Sequence, residues 1–123
     1  MNKEELKNKL EEYWYDNKYL EEKTKEIESI NHLIKIGKTS NLIITTKKHS
    51  EMEISKIVKK KKYIETLFQK LIQPYQILMY LRYISFLTFD EIADRMNYST
   101  KRIYQLHTEA LNKLLDVINI KSA

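Results

Sequence analysis

The sequence predicts an all-α fold: a long N-terminal helix, a coiled coil or one arm of a helical hairpin, ahead of a C-terminal two-helix unit. Three observations predict it. Only one Gly and one Pro occur among 123 residues, so few residues are present to punctuate helices. Apolar residues between Leu6 and Ile34 recur in alternating steps of four and three, the spacing of a heptad. Residues Leu87 to Leu115 then read as two helices separated by a short turn.

The first helix is expected over Lys3 to Ile36. Asn2 and Glu5 have the spacing of a capping box, and Gly37 suits the residue just past a helix end. Its heptad places Leu6, Tyr13, Leu20, Ile27 and Ile34 at d, with Leu10, Asn17, Thr24 and Asn31 at a. Polar residues at a weaken a coiled coil but can fix register and partner number. The seam predicts self-association. The alternative is packing against the second helix of the same chain as an antiparallel hairpin, and two hairpins in a four-helix bundle would satisfy both. The cluster Tyr13, Trp14, Tyr15 and Tyr19 is either core or a partner-binding patch, since aromatics concentrate in interface hot spots.

Residues 37–50 are the least legible. The β-branched run Leu42-Ile43-Ile44-Thr45-Thr46 suits a short extended segment, or a loop whose apolar residues cover the bundle. The second helix is expected after Ser50, which has Glu53 at capping-box spacing. Ile54, Ile57, Val58, Ile64, Leu67, Phe68, Leu71 and Ile72 give it an apolar face, interrupted by Lys59, Lys60, Lys61 and Lys62. That run is either a solvated face or a set of phosphate contacts. Gln73-Pro74 ends the helix, and Pro74 suits the first position of a third, over Pro74 to Ser85, with Ile77, Leu78, Leu81 and Ile84 inward. Residues 1–72 thus read as a helical oligomerisation region with a basic second helix, and 73–123 as a DNA-binding domain.

The end of the chain is the most informative part. Thr88 and Glu91 form a capping box, and Ile92 and Met96 give the short helix a buried stripe. Ala93 is small where a second helix must cross closely. Asn97 stands where the backbone needs a left-handed residue, for which asparagine is the usual substitute for glycine. Ser99 suits the N-cap of the last helix, and Ile103, Leu106, Ala110, Leu111, Leu114 and Leu115 mark its inner face. This is the sequence form of a helix-turn-helix, whose second helix lies in the DNA major groove. Ser99 and Thr100 are placed to meet phosphates at that helix's N-terminus.

The run Ser99 to Leu114 resembles the end of sigma-70 region 4, in which Arg-Ile-x-Gln-Ile is followed by Ala-Leu-x-Lys-Leu. The matching residues are Arg102, Ile103, Gln105, Leu106, Ala110, Leu111, Lys113 and Leu114. Ile77 to Tyr83 resembles the helix before the motif, so the similarity spans about residues 73–117. It implies that Thr100, Lys101, Tyr104 and Gln105 face base edges and that Arg102 and Thr108 reach flanking phosphates. Gln pairs with adenine, Lys with guanine, and Thr or Tyr can contact the thymine methyl. Thr100, Lys101 and Tyr104 stand where that family usually carries Arg, Glu and Arg, which argues against its usual promoter element as the target. The chain has no room for the part of a sigma factor that melts promoters. Its layout, an acidic aromatic-containing helix, a lysine-rich middle and this end, is similar to small phage transcription regulators of the RinA and ArpU kind. That similarity implies activation of late phage genes.

Composition sets the remaining bounds. Cysteine is absent, which removes disulfide frameworks and thiolate metal sites. No secretory signal or spanning apolar run is evident, so a soluble protein is expected, cytoplasmic and nucleoid-associated in a bacterial host. Net charge is −2 over residues 1–35, +6 over 36–72 and +1 over 73–123. Positive charge just before the helix-turn-helix suits phosphate contact. Asp90, Glu91 and Asp94 lie in the first turns of a helix, where negative charge complements the dipole. His32, His49 and His107 lack ligand companions at helical spacing. With no phosphate loop or nucleophile motif, neither enzyme activity, metal nor cofactor is expected. The expected function is sequence-specific double-stranded DNA binding by an oligomeric transcription regulator, with host RNA polymerase a candidate partner. Two alternatives stay open: an RNA polymerase-binding protein that does not read DNA, and a DNA-packaging recognition subunit of the small-terminase kind.

Overall fold

The computed structural model describes residues 1–122, which form five helices and no strand; Ala123 lies outside the described residues. The helices are α1 (Lys3–Lys35), α2 (Asn41–Gln69), α3 (Tyr75–Tyr83), α4 (Phe89–Met96) and α5 (Thr100–Ser122). The all-α expectation holds, as does the long N-terminal helix.

Local chemistry fixes the ends of α1. The Glu5 backbone N–H donates to Asn2 Oδ1 at 2.9 Å. Gly37 takes φ +84, and the Lys38 N–H reaches back to the Leu33 carbonyl at 2.9 Å. This is the left-handed closure that glycine permits without steric cost.

The start of α2 corrects the sequence reading. The helix begins at Asn41, not after Ser50, and the β-branched run 42–46 is helical. Ser40 is the N-cap, accepting from the Ile43 N–H at 3.2 Å. β-Branched residues lose only a few tenths of a kcal/mol each in a helix, and partial burial of Ile43 and Thr46 offsets that. Ser50 is not a cap but a buried residue within α2.

Helices α1 and α2 form the antiparallel hairpin. Lys23 Nζ meets Glu53 Oε2 at 2.9 Å, and Lys60 Nζ meets Asp16 at 3.5 Å and Glu12 at 3.9 Å. Of the heptad seam, Leu6, Leu10, Tyr13 and Asn17 are buried within the chain's own fold. Leu20, Ile27 and Ile34 are half-buried, and Thr24 and Asn31 are exposed. The helix ends at Gln69, four residues before the expected stop at Gln73-Pro74, so Leu71 and Ile72 lie in the connection to α3. Of the expected inner face, Ile57, Ile64, Leu67 and Phe68 of α2 and Leu71 beyond it are buried, whereas Val58 of α2 and Ile72 are exposed. A neighbouring helix covers only one stripe, and residues outside it stay in water.

Helix α3 is shorter than expected. Pro74 precedes it, and the Gln73 side-chain carbonyl accepts from the Ile77 N–H at 3.2 Å. Ile77, expected inward, is exposed, while Met79 and Tyr83 are buried. The short α3 packs on α5, α2, α4 and α1, so its neighbours lie on more than one side.

Among the described residues, two apolar clusters hold most of the interior, with Ile30 and Ile57 buried outside them in the hairpin. The first gathers Leu6, Leu10 and Tyr13 of α1 with Ile64, Leu67 and Phe68 of α2, Met79 and Tyr83 of α3, and Ala110, Leu111 and Leu114 of α5. The second gathers Leu78, Leu81, Ile92, Ala93, Ile103 and Leu106. The first cluster therefore joins residues 1–72 to residues 73–123. Phe68→Ala should cost about 3–5 kcal/mol, and circular dichroism and Trp14 emission should report one coincident transition. The fragment 73–123 alone should expose Met79, Tyr83, Leu111 and Leu114 and show little cooperative unfolding. Two separated transitions in the full chain would contradict this shared core.

Candidate nucleic-acid interface

The turn between α4 and α5 is held at both ends. Thr88 Oγ1 accepts from the Glu91 N–H, and Glu91 Oε1 accepts from the Thr88 N–H, both at 3.2 Å. Asn97 ends α4 at φ 59, ψ 41, and the Tyr98 N–H closes onto the Ala93 carbonyl at 3.0 Å. Ser99 Oγ then caps α5 by accepting from the Arg102 N–H at 3.1 Å. With caps at Thr88, Asn97 and Ser99, the crossing of the two helices has little freedom. Ile92 and Ala93 of α4 meet Ile103 and Leu106 of α5 in the second cluster.

With that face buried, the opposite side of α5 is open. Lys101, Arg102, Tyr104, Gln105 and Thr108 are exposed, and Thr100 is half-buried. Their side chains are not all free. The Thr100 hydroxyl donates to Asp90 Oδ1 at 3.0 Å, so its methyl is the group left to offer. Arg102 Nη1 donates to Gln105 Oε1 at 3.3 Å and lies 3.7 Å from Glu109 Oε1. The Gln105 oxygen has a second lone pair, and its amide donors are not used in that pairing. Ser99 uses its oxygen in the cap and retains its hydroxyl proton as a donor.

An aromatic and cationic stack supports Tyr104 from behind. Its ring lies 4.6 Å from that of Phe89. The Arg82 guanidinium lies over Phe89 at 4.6 Å and 5.3 Å from Trp14 of α1. Arg82 Nη1 also donates to the Leu87 carbonyl at 3.2 Å. Sequence reasoning missed this role for Arg82, Phe89 and Trp14. Their spacing carries no signal, because the stack crosses several helices. The aromatic group of α1 divides: Tyr13 is core, Trp14 joins the stack, and Tyr15 and Tyr19 are exposed.

Beneath the open face, His107 is buried, and its Nε2 lies 2.8 Å from the Tyr83 hydroxyl. Burial, joined by the positive charge of Arg82, Lys7 and Lys3, pushes the imidazole down to about 4. Burial also raises the Tyr83 phenol. Both groups are neutral at neutral pH.

The lysine run does not form one patch, since successive helical residues turn by about 100°. Lys60 faces Asp16 and Glu12 of α1, Lys61 is half-buried, and Lys59 and Lys62 are exposed. Among the described residues, no group of three His, Cys, Asp or Glu could hold a metal, and no helix is long and apolar enough to cross a membrane.

Residues 69–115, about two-fifths of the chain, match the family model for Sigma-70, region 4. Comparisons with curated proteins and with solved structures found no match.

Titration of His107 gives a test of this packing. Its folded pKa lies below the unfolded value of about 6.5, so the unfolded chain binds the extra proton between about pH 6.5 and 4. The contribution is complete above pH 6.5 and falls away as pH drops, by about 3 kcal/mol at most. Denaturant midpoints should drop across that window in the parent, and His107→Gln should flatten the drop. An identical acid limb in both proteins would mean that His107 is not held neutral.

Proposed function

We propose, from the premise that residues 69–115 form a sigma-70 region 4-like helix-turn-helix, that this chain is a sequence-specific double-stranded DNA-binding transcription regulator. One observation carries the reading: the side of α5 opposite the buried Ile103 and Leu106 is an exposed polar face with no helix over it among the described residues. Helix α5 enters the major groove N-terminus first, as the second helix of such a motif does. Lys101, Tyr104 and Gln105 contact base edges, and Thr100 offers its methyl. The Ser99 hydroxyl and the first N–H groups of α5 receive a phosphate, while Arg102 and Thr108 flank the groove. Gln105 is suited to adenine and Lys101 to guanine.

The finer reading is action at promoters in contact with host RNA polymerase, as a late-gene activator. The region 4 likeness supports the promoter, and the activator rests on the resemblance in layout to small phage regulators that the sequence suggests. Self-association in this reading falls to the distal half of the hairpin. There Leu20, Ile27 and Ile34 are only half-buried, whereas the proximal seam is occupied by the chain's own core.

Footprinting on the chain's own upstream region would locate its sites. On such a site Gln105→Ala should lose about 1–3 kcal/mol of discrimination at one base position, with non-specific affinity nearly intact. Should joint replacement of Lys101, Tyr104 and Gln105 leave specific binding unchanged, α5 does not read bases. Neutralising Lys59, Lys61 and Lys62 should lower the slope of log affinity against log salt by about 0.9 for each phosphate that these lysines neutralise. An unaltered slope would make the run a solvated face.

A further inference from the structure

A cleft of about 400 Å³ runs beside the reading face, between the start of α1 and the α4–α5 unit. Lys3, Glu4, Lys7 and Glu11 form its α1 wall, and Tyr104 and Thr108 form its α5 wall, with Arg82 also lining it. We propose that Lys3 and Lys7 contact the sugar–phosphate backbone of the duplex that α5 reads, so that α1 is part of the DNA-binding surface. The proposal rests on the reading of α5 given above and extends it to a helix outside the region 4 match.

The geometry follows from the size of the groove. A helix with its side chains is about 10–12 Å across, and the major groove is about 12 Å wide. A reading helix therefore fills the groove, and whatever lies alongside it on the open side meets the groove wall, which is phosphate. Lys3 and Lys7 lie alongside α5 in this way. They are four residues apart, so they project from one face about 6 Å apart along the axis, on the scale of successive phosphates on one strand.

Two further features favour this placement. The start of α1 is fixed relative to α5, because Leu6, Leu10 and Tyr13 share a core with Ala110, Leu111 and Leu114. Trp14 is tied through Arg82 and Phe89 to Tyr104. The charges are also available. Among the described residues, Lys23, Lys25, Lys47, Lys60 and Arg102 are paired with carboxylates, but Lys3 and Lys7 are not. At the floor of the cleft, burial does most to depress His107, and the nearby charges of Arg82, Lys7 and Lys3 act in the same direction, while Glu11 acts on Tyr83 in the opposite sense.

The test uses the full chain and a mixed-sequence duplex, with affinity measured over a range of salt. Lys3→Gln/Lys7→Gln should lower the log–log slope by about 1.8 if both lysines meet phosphate. Lys9→Gln is the internal control. Lys9 lies on the same end of α1 but lines a different cleft, with Leu10, Tyr63 and Ile118, and its slope should stay at the parent value. If the double variant keeps the parent slope while Arg102→Gln lowers it, α1 makes no backbone contact and the reading of α5 stands. A fall of equal size per lysine in Lys9→Gln would reduce the effect to net charge and overturn the specific contact. A parent chain with no salt-dependent duplex binding would sink both this inference and the DNA-binding function.

Discussion

Helix α5 belongs to two cores at once, and the rest of the structure depends on that. Its first turns place Ile103 and Leu106 against Ile92 and Ala93 of α4 and Leu78 and Leu81 of α3. Its middle places Ala110, Leu111 and Leu114 against α1, α2 and α3. Each fully buried Leu, Ile or Phe contributes about 1.5–3 kcal/mol of burial energy, so opening either core carries a large cost. Because the same rigid helix serves both, the direction of its polar face is set by the whole molecule. The helix-turn-helix reads in sequence as a local unit, yet here it is held from outside by a hairpin on its N-terminal side.

The hairpin has a second consequence, for charge. Its lysines are drawn into pairs with carboxylates across the two helices: Lys60 with Asp16 and Glu12, and Lys23 with Glu53. Exposed pairs of this kind contribute little stability, but they decide which cations remain free for a polyanion. The lysine-rich middle is the most basic segment by sequence, yet part of its charge is answered within the chain. The start of α1, which lies in the acidic segment, places the unpaired Lys3 and Lys7 in the cleft beside α5. Regional net charge is therefore a poor guide to where unpaired cations sit.

The connections around α4 are built differently from one another. At Asn97 the left-handed backbone suits the residue, since a short polar side chain tolerates that conformation. At Phe86, φ is 62, a conformation costing an aromatic residue on the order of 1 kcal/mol or more. Its ring approaches Trp14 edge-on at 6.2 Å, and the next residue's carbonyl accepts from Arg82. These interactions hold the α3–α4 linker against the strain and bring α1 to the same place.

Elements governed by neighbours in sequence were legible without coordinates. The Thr88–Glu91 box, the left-handed Asn97, the Ser99 cap and the inner face of α5 need only residues three or four apart, and each forms as read. The region 4 likeness, read over about 73–117, overlaps closely the matched residues 69–115. The α1 heptad also formed a buried seam in its first half, but periodicity states that a face is buried and not what buries it, so a partner chain and α2 looked alike. The start of α2 was hidden because β-branched propensity is weak beside the burial of Ile43, Thr46 and Ser50. The Trp14–Arg82–Phe89–Tyr104 stack and the cleft that Lys3 and Lys7 share with Tyr104 had no trace in the sequence. Local order depends on backbone groups and caps within one turn, whereas those interactions join elements far apart in the chain and exist only once the two cores have closed around α5.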